Sequence, residues 1–150
     1  MKIAFGCDHG GFALKKEIFA YFEKKGYEVI DFGTYDEKSV DYPDYALPVA
    51  ECVKDGKADF GVLVCGTGIG IGIVANKVPG IRCAMVSDTF TARATREHNN
   101  ANILSMGART LGPGLAVDVI DMFLNTPFSG DERHQRRIDK VTAIEKTYSK

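Results

Sequence analysis

The chain has 150 residues, a formal net charge of −1, 45% hydrophobic residues and 26% charged residues. This composition is typical of a globular domain and excludes a disordered or fibrous chain. The near-neutral charge argues against a general attraction to nucleic acid or to an anionic membrane.

Cysteine, histidine and hydropathy patterns narrow the class further. The four cysteines contain no Cys-x-x-Cys pair, and the three histidines lack the spacing of neighbouring metal ligands, so we expect reduced thiols and no metal site. The apolar run at the amino terminus is too short for a signal peptide, and no stretch approaches the ~18 apolar residues of a membrane span. These features predict a cytoplasmic protein.

Along the chain, short apolar segments alternate with segments of helical periodicity. Strands are predicted at residues 2–7, 27–32, 60–64, 82–86 and 102–106. Helices are predicted at residues 11–25, 44–55, from the glycine-rich turn to about residue 77, after a capping Asp88, from 112–113 to 123, and at 132–148.

This alternation predicts one α/β domain over residues 1–150. Its architecture would be a three-layer Rossmann-like or flavodoxin-like sandwich, with a five-stranded parallel sheet and helices on both faces. The common strand order for five strands is 2-1-3-4-5, which puts the reversal of strand order between the first and third strands. Ligands bind at such a reversal, beyond the carboxyl ends of the strands.

Two segments with suitable chemistry follow those two strands. Asp8 and His9 follow the first strand, and the sequence CGTGIGIG, residues 65–72, follows the third. Alternating glycines let successive N–H groups point at one anion, and the start of a helix adds favourable partial charge. The alternative for the glycines is a tightly packed turn, and for Asp8–His9 a polar loop.

Cys65 stands where the third strand meets this turn. Neighbouring amides favour its thiolate, which would make it a base or a nucleophile, whereas the alternative is a buried structural thiol. His98 and Asn99 follow a predicted helix and precede the fifth strand, where such a pair is more often the C-cap of a helix than a catalytic pair.

The last predicted helix carries Arg133, Arg136 and Arg137 beside an apolar stripe. Arginine grips phosphate with two parallel hydrogen bonds, so these side chains are candidates for a phosphate site; the alternative is a solvated face. A rival interpretation of the glycine-rich segment is a nucleotide-binding module, because Gly70, Gly72 and Ala75 fit the dinucleotide pattern G-x-G-x-x-A. The segment follows the third strand and not the first, which weighs against it.

The motifs together resemble type B ribose-5-phosphate isomerase, a family that includes galactose-6-phosphate isomerase subunits. The resemblance extends over nearly the whole chain, in the segments KIAFGCDHGG, DYPDYA, CGTGIGI, ANKVPGIRCA, EHNNANIL and RHQRR. It implies an aldose–ketose isomerase that interconverts ribose 5-phosphate and ribulose 5-phosphate without a cofactor. The alternative within this chemistry is a hexose 6-phosphate of the allose or galactose type.

The resemblance also implies roles for single residues. Cys65 would be the base, Thr67 would contact the sugar oxygens, and Asp8 and His98 would open the ring. Sugar and enediolate binding would fall to Asn99, Tyr42 and the amides of the turn, including Gly66, Gly68 and Gly70. The phosphate would be held by His9, Arg109, Arg133 and Arg137.

Two positions depart from the family pattern. A second subgroup uses a glutamate where this chain has Ile71, so the resemblance implies that Cys65 would be the base here. Arg136 stands where many relatives have glutamine.

The sequence and the resemblance also predict a homodimer, or a dimer of dimers, with shared active sites. A single small domain has nothing of its own to close over a reactive enediolate. We expect His98, Asn99 and Arg109 to serve Cys65 of the partner chain.

Overall fold

The structure is a computed structural model that describes residues 1–149. Strands and helices alternate along the chain up to a final pair of helices. The elements are β1 (Lys2–Cys7), α1 (Phe12–Lys25), β2 (Glu28–Asp31), α2 (Pro43–Lys54), β3 (Phe60–Cys65), α3 (Ile69–Ala75), β4 (Cys83–Met85), α4 (Thr89–Asn99), β5 (Ile103–Gly107), α5 (Pro113–Asn125) and α6 (Glu132–Tyr148).

The predicted three-layer α/β architecture is confirmed. All five strands pair in parallel. One face of the sheet packs on α1 and α5, through side chains such as Ile18 and Phe123. The other face packs on α2 and α3, through side chains such as Val49 and Ile71. Helices on both faces bury every residue of the central strands β1, β3 and β5 except the first residues of β1 and β3, which explains their continuous apolar runs.

Local signals set several of the helix ends. Gly26 ends α1 in the left-handed conformation at φ 68°, which glycine adopts without strain. Asp88 caps α4 as predicted, because its Oδ1 accepts the Thr91 N–H at 2.7 Å. Other boundaries differ from the predictions by one or two residues. His98 and Asn99 lie in the last turn of α4 and not after the helix.

The strand order is β2-β1-β3-β5-β4, so the expected order 2-1-3-4-5 is wrong at its end. The physical reason is burial. All five residues of β5 are buried, whereas β4 has only three residues and none is fully buried. The strand that is covered on both faces takes the inner place beside β3, and the short strand takes the edge. The predicted reversal between β1 and β3 is retained.

Helix α6 runs along the outside of the chain, next to α4. Its apolar stripe is buried only at Ile138, whereas Val141, Ile144 and Tyr148 are 54%, 61% and 82% exposed. Within residues 1–149, no helix has both the length and the apolar character that crossing a membrane requires.

Candidate active site

The residues of the first predicted site meet at the carboxyl edge of the sheet. We call this group the carboxyl-edge cluster: Asp8 and His9 after β1, Tyr42 at the start of α2, residues 65–70 after β3, and Arg109 after β5. The parallel arrangement places all three strand ends at the same edge, as the alternation of elements predicted.

The loops after β1 and β3 touch each other. A side chain at Gly10 would lie 3.0 Å from the Gly66 nitrogen and 3.2 Å from Asp8 Oδ1. Asp8 is buried, and its Oδ1 accepts the Gly11 N–H at 3.1 Å. The carboxylate is therefore fixed in orientation beside the glycine-rich turn.

His9 is held in one tautomer. The Val40 N–H donates to His9 Nδ1 at 3.1 Å, so in the neutral ring Nδ1 is the acceptor and the proton is on Nε2. The ring thus presents a donor to its surroundings, as an anion site requires. Val40 belongs to the long loop between β2 and α2, and sequence reasoning did not connect it with His9.

Cys65 differs from the structural thiols of the chain. It ends β3 with 6% of its surface exposed, and its Sγ accepts the Gly68 N–H at 3.1 Å. An amide aimed at sulfur stabilises the thiolate. Burial raises the pKa of Cys7 to about 11 and that of Cys83 to about 12, so those two thiols stay protonated near neutral pH.

Close backbone contacts shape the turn around this thiol. Gly68 has φ 79°, and a side chain on it would lie 2.7 Å from the Met106 carbonyl carbon. A side chain on Gly70 would lie 2.9 Å from the Tyr42 ring, so the ring covers the start of α3. Thr67 is exposed at the tip of the turn, where its Oγ1 accepts the Ile69 N–H at 3.3 Å.

Arg109 also lies at this turn. Its N–H donates to the Gly66 carbonyl at 3.1 Å, and a side chain on Gly66 would lie 3.2 Å from Arg109 Nη1. Arg109 therefore lies at the Cys65 turn of its own chain, and the expectation that it serves the partner's Cys65 loses its structural basis. It rested on the strand order: because β5 and not β4 adjoins β3, the loop after β5 reaches the Cys65 turn of its own chain.

A second group of predicted residues lies elsewhere. We call it the amino-edge cluster: Arg82, His98, Asn99, His134 and Arg137, which line one cavity of about 100 Å³. The His98 and His134 rings pack against each other in a tilted arrangement, with centroids 4.5 Å apart. Arg82 Nε donates to the Asn99 carbonyl at 3.0 Å and so caps the end of α4.

The two clusters belong to opposite edges of the sheet. Helix α4 runs back from the carboxyl end of β4 to the amino end of β5, as a crossover in a parallel sheet must. Ile103 pairs with Gly61 and Gly107 with Cys65, so the edges are separated by four residues of strand, or roughly 13 Å. Within one chain, His98 and Asn99 are not at the Cys65 turn.

Two further arginines lie near the amino-edge cluster without lining its cavity. Arg133 is exposed and pairs with Asp131 at 3.4 Å. Arg136 is exposed on α6. His134, in contrast, is buried and was not singled out from the sequence. Its spacing of four residues from buried Ile138 was the available signal.

The nucleotide-binding alternative loses its structural basis. Gly70 and Gly72 lie inside α3, whereas the first glycine of the dinucleotide pattern belongs to the turn between strand and helix. A side chain on Gly72 would lie 2.5 Å from Ser105 Oγ, so that glycine serves helix–sheet packing. Across residues 1–149, no cluster of three metal-ligating side chains is present.

Comparison with known proteins identifies relatives of this chain. A family model described as Ribose/Galactose Isomerase matches residues 3–141. Ribose-5-phosphate isomerase B of Escherichia coli is 49% identical over 144 residues, which are 96% of each chain. A solved ribose-5-phosphate isomerase B from Clostridium thermocellum is 55% identical, with a TM-score of 0.97 over 99% of this chain and 100% of that one.

A third relative was solved with a ligand. Ribose-5-phosphate isomerase B of Mycoplasma genitalium, with bound ribulose-5-phosphate, is 41% identical, with a TM-score of 0.91 over 97% of this chain and 96% of that one. The architecture and the motifs agree with those of this family across the chain. The chain belongs to the Ribose/Galactose Isomerase family of sugar-phosphate isomerases, and its resemblance to type B ribose-5-phosphate isomerase is confirmed.

Proposed function

We propose that this protein interconverts ribose 5-phosphate and ribulose 5-phosphate through ring opening and an enediolate, with Cys65 as the base. The observation that carries the proposal is the thiol of Cys65, set in a glycine-rich turn with the Gly68 N–H aimed at its sulfur. The names of the relatives supply the substrate pair, because all three are ribose-5-phosphate isomerases B and one of them was solved with bound ribulose-5-phosphate.

In the proton-transfer step, the Cys65 thiolate removes the proton from C2 of the open-chain aldose. The electron pair of that bond forms the enediolate, whose negative charge falls on the former carbonyl oxygen. The proton of the C2 hydroxyl moves to the C1 oxygen, so that the negative charge passes to the C2 oxygen. Cys65 then returns the carbon-bound proton to C1 while the C2 carbonyl forms, which completes the ketose. The step is balanced without any further reactant.

Backbone amides and a hydroxyl stabilise the enediolate oxygens in this proposal. Of the amides from Gly66 to Gly70, that of Gly68 faces Cys65 Sγ and that of Ile69 faces Thr67 Oγ1. We therefore assign the oxyanion to the amides of Gly66, Thr67 and Gly70. The Thr67 hydroxyl is exposed at the same turn and would contact the sugar. Tyr42, over Gly70, would border the sugar.

The phosphate lies at the other end of the substrate. His9 Nε2 and the Arg109 guanidinium supply donors from the carboxyl-edge cluster. Arg133 and Arg137 would add a bidentate grip, and both are exposed on α6. Binding energy from the phosphate would hold the reacting carbons against Cys65.

Ring opening needs a group that exchanges protons with the ring oxygen and the anomeric hydroxyl. We assign this to His98, assisted by Asp8, and we assign sugar binding to Asn99. Histidine exchanges protons near neutral pH, and His98 is exposed at the end of α4.

These assignments require a homodimer, because His98 and Cys65 lie at opposite edges of one chain. The site is incomplete unless the amino-edge cluster of a second copy approaches the carboxyl-edge cluster of the first. Exposed apolar side chains next to the edge strand β4 support this pairing: Ile73 on α3 and Met85 on β4 are 55% and 50% exposed. With the stripe of α6 they form a surface suited to a second copy.

A dimer of dimers stays an alternative prediction, to be tested by sedimentation. The single isomerase domain over residues 1–150 and the cytoplasmic location also stay predictions.

The test of the proposed function is a substrate panel. The purified protein is incubated with ribose 5-phosphate, allose 6-phosphate and galactose 6-phosphate, and ketose formation is followed by NMR. We expect turnover of the pentose phosphate to exceed that of both hexose phosphates. Faster turnover of a hexose phosphate would change the substrate, and no ketose from any aldose phosphate would overturn the proposal. Titration with NAD in the same buffer tests the nucleotide-binding alternative.

A further inference from the structure

His134 has no role in the proposed mechanism, yet it is a second histidine whose ring lies against that of His98. It is 5% exposed on α6, while His98 is exposed on α4. The two ring centroids are 4.5 Å apart and the planes are inclined by 39°. This separation is at the short end of the range for interacting aromatic rings. The contact between the two rings therefore connects α6 to the exposed imidazole of His98.

Further contacts keep the His134 ring in place. Its Nδ1 lies 2.9 Å from Ser129 Oγ, and the Ser129 N–H donates to the Glu97 carbonyl at 3.2 Å. The loop before α6 is thereby tied to the last turn of α4, one residue before His98. His134 is thus fixed from its own helix, from this loop and from α4.

We infer that His134 is a positioning residue, whose stacked ring holds the imidazole of His98 in the orientation that ring opening requires. The inference rests on the proposed function, since it needs His98 to act on the sugar. An exposed histidine at a helix end has several rotamers open to it, and a wall on one side of its ring removes some of them.

The charges around His134 are consistent with this positioning role. Burial is the main cause that lowers the pKa of His134; the neighbouring His98, Arg133 and Arg137 also lower it, and Asp131 opposes them. The stacked ring therefore stays neutral near pH 7, so it adds no further positive charge to a cluster that is already cationic. Arg82 lines the same cavity.

Three variants test the inference. His134→Ala removes the ring, His134→Phe keeps a flat ring without the Ser129 contact, and Gln135→Ala alters the exposed neighbour on the same helix. Two readouts are needed. One is net conversion of ribose 5-phosphate, which includes ring opening. The other is deuterium incorporation at C1 of ribulose 5-phosphate in D₂O, which needs only proton transfer on an open-chain sugar.

We expect His134→Ala to lower kcat for ribose 5-phosphate by roughly 10-fold or more, because misplacing a reacting group by about 1 Å is costly. KM and deuterium incorporation should change little. His134→Phe should recover most of kcat, and Gln135→Ala should match the wild type. Equal losses in both readouts would mean a structural role and overturn the inference, as would wild-type conversion by His134→Ala.

Failure of the proposed function has a different signature. In that case the wild-type protein itself would not convert ribose 5-phosphate. A fourth variant guards against loss of folding: if His134→Ala is not folded by circular dichroism, His134→Leu replaces it, since Leu fills the space without a flat ring. Conversion by His134→Leu equal to that of His134→Phe would overturn the inference.

Discussion

The two clusters are built in contrasting ways. The carboxyl-edge cluster is held by buried main chain: Asp8 and Cys65 are both 6% exposed, and the amides of Gly11 and Gly68 orient them. The amino-edge cluster consists mainly of side chains at the surface, on the end of α4 and on α6. His98, Asn99 and Arg137 are all exposed.

This difference has a mechanistic meaning. Proton transfer at carbon needs a preorganised base and oxyanion site, and rigid backbone supplies both. In the proposed mechanism, ring opening and phosphate binding use long or rotatable side chains, which would gain their final order when a second copy covers them. Variants in each cluster test the proposal that one cluster transfers the proton and the other opens the ring and binds the phosphate.

The largest effect is expected at the carboxyl-edge cluster. Cys65→Ala removes the base and should lower conversion of ribose 5-phosphate by ~100-fold or more, together with deuterium incorporation into ribulose 5-phosphate. The matched control is Cys52→Ala, which removes a buried thiol of α2. If Cys65→Ala retains activity within a few-fold of the wild type, Cys65 is not the base.

The two clusters should complement each other across copies. Cys65→Ala and His98→Asn chains are each expected to be inactive for ribose 5-phosphate. After subunit exchange of equal amounts, half of the dimers are mixed and each has one intact site, so activity should return to roughly a quarter of the wild-type value. Mass spectrometry checks that exchange occurred. Mixed dimers without activity would contradict the shared site.

The His98→Asn variant on its own tests whether the amino-edge cluster serves ring opening and not proton transfer. It should lose conversion of cyclic ribose 5-phosphate while keeping deuterium incorporation into open-chain ribulose 5-phosphate, because only the former needs ring opening. 4-Deoxyribose 5-phosphate, which lacks the ring-forming hydroxyl, should also remain a substrate. A parallel loss on all three sugars would remove His98 from ring opening.

A phosphate role for the amino-edge cluster predicts a smaller change in binding. Arg137→Ala should raise KM for ribose 5-phosphate by about 10-fold or more, the value of a charge-assisted hydrogen bond, and should leave any turnover of free ribose unchanged. Lys24→Ala, which removes one exposed positive charge from α1, is the control. If turnover of both sugars falls alike, Arg137 supports the fold instead.

Rigidity of the carboxyl-edge cluster can be measured through stability. Gly68 and Gly80 both have positive φ, at 79° and 84°, but a side chain meets backbone only at Gly68. Alanine at either position should cost about 1 kcal/mol of unfolding free energy. Gly68→Ala should cost roughly 1–3 kcal/mol more, because Met106 in β5 cannot move aside. Similar urea midpoints for the two variants would mean that the turn around Gly68 relaxes to make room for the side chain.

The smallest effect concerns pH and His134. Its lowered pKa means that the unfolded chain binds more protons than the folded chain once the pH falls below about 6.5. Stability from the neutral ring is thus present above that pH and lost as the pH falls toward the lowered pKa. In urea unfolding at pH 7.5 and 5.5, the wild type should lose more stability than His134→Phe. Equal losses would contradict the pKa direction.

Several features of this protein followed from the sequence by itself. Alternating apolar and helical segments determined the α/β class and the parallel sheet. The apolar strands are buried only when helices cover both faces of the sheet, and each helix buries its apolar side against that sheet. Chain order alone brought Asp8 next to the Cys65 turn, since parallel strands end at the same edge. The glycine-rich motifs carried the family resemblance, and local caps such as Asp88 and Gly26 marked helix ends.

Only the tertiary structure decided where the remaining site residues lie. The place of β5 beside β3 depends on which strand is buried on both faces, a property of packing and not of local pattern. That choice brings Arg109 to the Cys65 turn of its own chain, whereas His98 lies at the opposite edge because α4 is a crossover between parallel strands. The stacking of His98 on His134 joins residues of two helices 36 positions apart in the chain, at a distance that no local spacing encodes.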